Sequence, residues 1–264
     1  NMRNKSLKLC GFTVIMGIFG AFLRWLQIQN IIEADTGLAT RNSPWSFALI
    51  FFVVIFAFLL WLWVRRLKDI NFPTRYPEVY SKTAPFVSIA AVLIGIIIAL
   101  GGVLTVLRSV QTSKTVFDLV LGLFSFVCAA GMASFIGSAS KPEKNSQGFF
   151  GAISIVFYLC FWLIAAYKFS AKDPVTWDYA PRLLAIAATL LAFYFIAGFV
   201  FNKPRPLASL YLGLLSTFMC IITIADSYPI GEQFITIGFI CSMALLSFSQ
   251  INGANSDTSV QADN

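Results

Sequence analysis

Eight apolar runs, each about as long as a bilayer is thick, follow one another along the chain with short polar segments between them. A hydrocarbon core about 30 Å thick requires about 20 apolar residues of helix. Because hydrocarbon offers the backbone no water, each run must pair its N–H and C=O groups internally, as a helix does. The runs cover residues 9–28, 45–64, 84–107, 115–137, 148–167, 182–201, 206–225 and 230–249. The pattern predicts an all-α integral membrane protein, a polytopic bundle of about eight transmembrane helices in a single domain over residues 1–251.

The punctuation between the runs agrees with this division. All 10 prolines fall in the loops or at the expected first turns, where a missing N–H costs little. Residues 252–264 are small, polar and mildly acidic, a composition that favours a disordered tail. Span four is rich in small residues, which mark close helix approach, so we expect it near the centre of the bundle.

Lysine and arginine are unevenly distributed between the two sides of the bundle. One side collects residues 3, 5, 8, 65, 66, 68, 75, 82, 141, 144, 203 and 205, and the other collects residues 24, 41, 108, 114, 168, 172 and 182. The positive-inside rule places the larger set in the cytoplasm, so both termini and the tail are predicted to be cytoplasmic, with the plasma membrane as the expected location. The net charge of +7 therefore reports topology and does not indicate a nucleic-acid partner.

Several kinds of chemistry are disfavoured by the residues the chain lacks. The sequence contains no histidine, which removes His-ligated haem, most catalytic zinc sites and Ser-His-Asp triads. The five cysteines lie within the runs without a CxxC pair, so they are interpreted as small buried side chains. No phosphate-binding or dinucleotide-binding glycine motif is present. We therefore expect no cofactor and no metal site, and an enzyme is the less favoured class.

No run carries a charge near its middle, and the charges near the membrane gather where the runs meet the outer side. Asp118 and Glu232 open runs four and eight, where a carboxylate suits the exposed N–H groups and the helix dipole. Arg24 lies deeper, about 24 Å along the first helix, with Gln27 one turn further on the same face. Arg182 and Asp226 have the wrong charge for the helix ends that they occupy.

These residues lead to two hypotheses about pairing. Arg24 either extends toward the outer surface or forms a buried pair with Asp118 or Glu232. Arg182 and Asp226 either approach each other, or each contacts another charge on the outer side. The candidate ligand-binding residues are Arg24, Gln27, Asp118, Arg182, Asp226 and Glu232. Together with polar loop residues at positions 33, 35, 41 and 177–179, they form either a shallow outward-facing polar vestibule or an ordinary solvated rim.

The favoured function is a transporter-like protein that handles a small solute or a lipid, because a polar vestibule on a multi-span bundle suits such a ligand. Against it stands the absence of a central acid or a broken helix, which many ion-coupled carriers have. The alternative is a non-enzymatic scaffold or accessory subunit that contacts a membrane-protein partner or forms a homo-oligomer. A second alternative is a membrane-embedded enzyme that uses Asp118 and Glu232 on a lipid-linked substrate.

Overall fold

A computed structural model describes the chain over residues 2–31, 43–68, 70, 72–73, 75–76, 79, 84–112, 116–138, 145–170 and 176–254. Across these residues the structure is helical and without strands. It contains eight long helices: α1 (Met2–Ile31), α2 (Pro44–Arg65), α3 (Ala84–Thr112), α4 (Val116–Ser138), α5 (Asn145–Ser170), α6 (Thr176–Val200), α7 (Pro206–Thr223) and α8 (Ile230–Gly253). All eight are long and apolar enough to cross a membrane, which confirms the predicted helical membrane bundle.

Several helix ends differ from the sequence-based boundaries, and two of these differences change an earlier prediction. Helix α6 begins at Thr176, so Pro181 lies inside the helix and not before it, and Arg182 lies in its second turn. The prediction that every proline lies in a loop or a first turn is therefore wrong at this position. Helix α8 extends to Gly253, two residues into the predicted tail, while residues 255–264 lie outside the described part of the chain.

Six of the helices form a closed ring. Neighbours along the chain pack from α3 through α8, and α8 packs back onto α3. Helix α1 lies outside the ring against α7 and α8, and α2 packs on α1 and α7. Successive helices run in opposite directions, so the bundle has two ends. We call them the Arg24 end, where α1 finishes and α8 begins, and the Lys8 end, where α1 begins and α8 finishes.

Aromatic side chains fill the inside of the ring. Phe239 of α8 lies with its ring centre 5.9 Å from that of Trp162 and 6.2 Å from that of Tyr158, both on α5. Phe193 of α6 reaches the same ring at 5.9 Å. These four side chains are all buried, and they leave the middle of the ring packed in the manner of a soluble protein core.

Helix α7 is the most enclosed of the eight. Within its membrane-spanning segment 67% of the residues are buried, against 50% for α4. Burial is therefore greater for α7 than for α4, the helix that the sequence places near the centre. Helix α7 is a member of the ring and packs against its ring neighbours α6 and α8. Its other side contacts α1 and α2, and there Phe56 stacks on Phe218 with ring centres 4.0 Å apart. Its small residues make room for neighbours on both sides.

Helices α3 and α8 approach closely through a pair of glycines. A Cβ atom added to Gly101 would lie 2.7 Å from the carbonyl oxygen of Gly231 and 2.9 Å from the backbone nitrogen of Ile235. Both of these atoms belong to the backbone of α8, so neither can move without displacing that helix. The contact closes the ring near the Arg24 end and helps to fix where α8 begins.

We predict that Gly101→Ala lowers the unfolding temperature of the detergent-purified protein, because overpacking a tight contact costs about 1–3 kcal/mol. The matched control is Gly11→Ala in α1, where an added Cβ meets no atom within 4 Å. Both changes carry the same intrinsic gain in helix propensity. Thermal unfolding followed by circular dichroism measures the difference, and equal unfolding temperatures for the two variants would show that the α3–α8 contact has room to spare.

A candidate ligand site built on two buried ion pairs

The first ion pair joins α1 to the segment that follows α7. Arg24 is 1% exposed, and its Nε donates to Oδ1 of Asp226 at 2.7 Å. Its Nη1 donates to Oε1 of Gln27 at 2.8 Å, and Nε2 of Gln27 donates to Oγ of Ser46 at 2.9 Å. Because Ser46 belongs to the first turn of α2, one chain of hydrogen bonds connects α1, α2 and the end of α7.

Asp226 is presented to Arg24 by a turn whose backbone is well bonded. Its N–H donates to the carbonyl of Thr223 at 3.2 Å, which continues the last turn of α7. Its own carbonyl accepts from the N–H of Tyr228 at 2.9 Å and from Nε2 of Gln233 at 3.3 Å. Three local hydrogen bonds thus hold the residue, so its carboxylate has a defined position beside α1.

The second ion pair joins the start of α6 to the start of α8. Nη2 of Arg182 contacts Oε2 of Glu232, and the two side chains are only 14% and 11% exposed. The guanidinium of Arg182 also lies 4.2 Å from the centre of the Tyr228 ring, within the range of a cation–π interaction. Asp226 and Asp118 act electrostatically on the same guanidinium, so the two ion pairs belong to one charged cluster.

The structure contradicts the pairing predicted for Arg24 and agrees with one of the two forms predicted for Arg182 and Asp226. Arg24 does not extend to the surface, and its predicted partners Asp118 and Glu232 are wrong, because Asp226 occupies that place. Arg182 and Asp226 do not pair with each other; each contacts a different charge, as the second form of the hypothesis states. The sequence identified the right charges, but the choice of partners depends on α1 packing beside the end of α7.

Asp118 lies in the first turn of α4, as predicted. Thr115, its predicted partner in a capping box, lies outside the described residues. The Nζ atom of Lys168 lies 4.1 Å from the centre of the neighbouring Phe117 ring, within the range of a cation–π interaction. The predicted vestibule residues at positions 33, 35 and 41 lie outside the described residues, as do the side chains of Trp177 and Asp178.

A small cavity of about 20 Å³ lies directly beside the second ion pair. This volume suits about one water molecule, which needs roughly 10–15 Å³. Its wall includes polar side chains from three helices and the turn after α7: Arg182, Thr189, Thr223, Tyr228, Glu232 and Gln233. In the described residues, a small polar cavity beside Arg182 lies where the sequence predicts a vestibule, and the vestibule itself stays a prediction.

Buried hydroxyl groups continue from this cavity toward the membrane centre. Thr189 lies about 15 Å along the helix from Tyr179, near the middle of a hydrocarbon layer about 30 Å thick. Its Oγ1 is 2.6 Å from Oγ of Ser216 and 3.4 Å from Sγ of Cys220, and it also donates to the carbonyl of Ala185. The span centres carry no charge, but α6 and α7 meet there through polar atoms.

The aromatic layer closes the cavity on the side that faces the bundle interior. Trp162 lines the cavity and packs against Phe239. Nε1 of Trp162 and the hydroxyl of Tyr158 are buried and have no hydrogen-bond partner among the residues that the structure describes. A buried polar group left unsatisfied costs about 1–3 kcal/mol. The core therefore contains two polar groups whose hydrogen-bonding capacity is not used by the side chains packed around them.

The sequence pattern missed Trp162, Tyr228 and the Thr189–Ser216 pair. Trp162 and Thr189 lie within apolar runs and have the residue types of ordinary membrane helices. A usable signal was present in α7, where small or polar residues recur every three or four positions: Ser209, Gly213, Ser216, Cys220 and Thr223. Such a spacing places them on one face of the helix.

The cluster contains donors and acceptors for a ligand but no arrangement for a metal. Among the described residues, no three His, Cys, Asp or Glu side chains come together at a metal-binding distance. No protein-family model, curated protein or solved structure matches the chain. What the site does must therefore be argued from its own geometry and chemistry.

We predict that Arg24→Met destabilises the protein by about 3–5 kcal/mol, because the Asp226 carboxylate would remain buried without its countercharge. The double variant Arg24→Met/Asp226→Leu should recover at least half of this loss, since two apolar side chains can replace a buried pair. Unfolding in detergent with increasing urea measures both. Arg65→Met is the control, because Arg65 is an exposed residue that lies over the Trp61 ring. A single variant as stable as this control would contradict the role assigned to the pair.

Proposed function

We propose that the protein is a transporter-like membrane protein that binds a small zwitterionic solute at the Arg24 end. The observation that carries this proposal is the second ion pair, Arg182–Glu232, which borders a polar cavity leading to hydroxyl groups near the membrane centre. Ionisable residues buried within membrane spans are rare and usually mark a site of function. The favoured hypothesis from the sequence is thereby narrowed to a particular pair of helices, α6 and α8.

Stability alone is a weak reason for these charges to be present. Replacing a buried ion pair by well-packed apolar residues is often neutral or stabilising, so stability alone does not require two charged side chains at this position. Arg24–Asp226 has a structural role, because it ties α1 and α2 to α7 through Gln27 and Ser46. Arg182–Glu232 makes no comparable link to the outer helices, so its charges are the better candidates for meeting a ligand.

The chemistry of the second pair favours a zwitterion. A solute that carries a carboxylate and an ammonium group could replace the internal pair, with its carboxylate on Arg182 and its ammonium on Glu232. The Tyr228 ring, released from the guanidinium, would then present a face suited to the ammonium group. The solute exchanges one set of charge contacts for another, so neither protein charge is left buried and unpaired.

A path from this site across the membrane would follow α7. Its polar face runs from Thr223 beside the cavity, through Ser216 at the centre, to Ser209 near the Lys8 end. There Oγ of Ser209 donates to Oε1 of Gln250 at 3.2 Å. Trp162 and Phe239 close the ring beside this face, so passage requires their rings to move. The structure then corresponds to a closed state of an alternating-access cycle.

We predict that a zwitterion raises the unfolding temperature of the purified protein and is taken up by liposomes that contain it. The probes are glycine betaine and the twenty standard amino acids, each at millimolar concentration. Glu232→Gln and Arg182→Gln should each weaken the response at least tenfold, because each removes one of the two charge contacts. Arg108→Gln, which removes a cation near the same end, should leave it unchanged. Neither a thermal shift nor uptake with any probe would contradict the proposal.

A second function, that of a scaffold or accessory subunit, is favoured by the packing of the ring and by the surface of α2. The ring interior is filled, the cavity holds about one water, and α2 leaves a long row of large apolar side chains uncovered, including Phe47, Phe51, Val54 and Phe58. A scaffold or accessory subunit could use this face against another membrane protein, although lipid tails would cover it equally well. The enzyme hypothesis is less favoured, because Glu232, one of the two acids that it requires, forms an ion pair with Arg182.

Cysteine accessibility separates the two functions without knowledge of the solute. We predict that in a cysteine-free background Ser216→Cys reacts with a small methanethiosulfonate reagent in liposomes, because its side chain lies on the path. Leu214→Cys is the matched control, since Leu214 is equally buried on α7 but belongs to the core shared with α1 and α2. Mass spectrometry measures the labelled fraction. Equal protection of both cysteines would argue against the path and favour the accessory subunit.

A further inference from the structure

A second cavity lies at the Lys8 end, at the opposite end of the bundle from the ion pairs. Its volume is about 260 Å³, more than ten times that of the cavity beside Arg182. It is bordered by the start of α1, the last turn of α2 with the segment that follows it, and the end of α8. It shares no residue with the proposed solute site, so the two can be tested separately.

The cavity has an apolar wall and a cationic rim. Leu9 and Ile251 are buried and form its inner wall, and Leu67 and Phe72 extend that wall outward. Trp63 also lines the cavity, and Phe12 packs against its ring at 5.5 Å between centres. The charged lining residues are Lys8 and Arg66. Apolar atoms below and positive charges above match the two parts of a phospholipid.

The positions of the two cations agree with the level of lipid headgroups. Lys8 lies at the beginning of the first membrane-spanning segment, and Arg66 directly follows the end of the second, at Arg65. A tryptophan beside them is typical of the interface between hydrocarbon and water. A phosphate at this level would lie between two cations, with its acyl chains entering the bilayer alongside Trp63.

Both cations have side chains available for an anion. Lys8 and Arg66 are exposed, and neither is in an ion pair within the part of the chain that the structure describes. The adjacent Arg65 differs, because its guanidinium lies 4.9 Å from the centre of the Trp61 ring. The carboxyl end of α2 carries the negative end of the helix dipole, so attraction of an anion here must come from these two side chains.

We propose that this cavity binds an anionic phospholipid, with its phosphate between Lys8 and Arg66 and part of an acyl chain against Leu9 and Ile251. Two features select this occupant over a free phosphate ion or a peptide. Free phosphate would gain nothing from the apolar wall, and the cavity lies where the first two membrane-spanning segments reach their Lys8 ends, the level at which acyl chains meet their headgroups. Basic pockets between membrane helices recognise anionic headgroups in this manner.

Native mass spectrometry of the full chain in a neutral detergent tests the proposal. We expect phosphatidylglycerol to bind at least tenfold more tightly than phosphatidylcholine of the same chain length, and to raise the unfolding temperature. Lys8→Ala/Arg66→Ala should abolish this preference. Lys203→Ala/Arg205→Ala is the matched control, because it removes two exposed cations at the same end of the bundle but away from the cavity.

Further measurements distinguish lipid binding in the cavity from other causes of a mass shift or a stabilisation. Leu67→Trp should fill the cavity and reduce phosphatidylglycerol binding with both cations retained, which also covers the case in which the double variant folds poorly. Equal binding of the two lipids, or equal losses in the two double variants, would overturn the proposal. Stabilisation by inorganic phosphate as strong as that by the lipid would identify a simple anion site and would overturn the assignment to a lipid.

Discussion

The buried contact between Arg24 and Asp226 is the interaction on which the arrangement at the Arg24 end depends. A guanidinium at this depth cannot be solvated by hydrocarbon, so α1 is stable only where a carboxylate meets it. That requirement brings the end of α7 against α1, and the bond from Gln27 to Ser46 brings in the start of α2. The two helices outside the ring are thereby fixed in height and rotation, which apolar contacts with neighbouring helices alone would leave loosely defined.

The same constraint shapes the candidate site. Asp226 places its Oδ1 against Arg24, while Arg182 contacts Glu232 at the start of α8. One charge pair therefore serves the assembly of the bundle, while the other remains between two helices of the ring, above a cavity. The close approach of α3 and α8 at Gly101 and Gly231 supports this division, since it fixes the first turn of α8.

Much of this molecule could be predicted from the sequence, and the failures have physical causes. The eight helices follow from the length of the apolar runs, because hydrocarbon leaves the backbone no alternative. Charges such as Arg24 and Asp226 are easy to recognise in so apolar a sequence. Their pairing depends on which helices become neighbours, and the hydrophobic pattern does not indicate which helices pack together. Trp162 and Thr189 were missed because their types are ordinary for a span. Burial sets both apart, and Trp162 also has an Nε1 without a hydrogen-bond partner among the described residues.

The filled ring and the buried polar atoms at its centre place opposing demands on the proposed function. The packed rings of Phe239 and Trp162 give the Arg182–Glu232 pair an apolar neighbour of low dielectric constant, which strengthens the attraction between the two charges. A solute that replaces this internal pair would keep both charges satisfied while the helices that carry them separate. The energy for opening would then come from the exchange of partners and not from breaking the pair outright, because a ligand shifts an equilibrium only by binding one state better than the other. An ion pair that joins two ring helices beside a small polar cavity is therefore a reasonable place for a ligand to control the opening of the bundle.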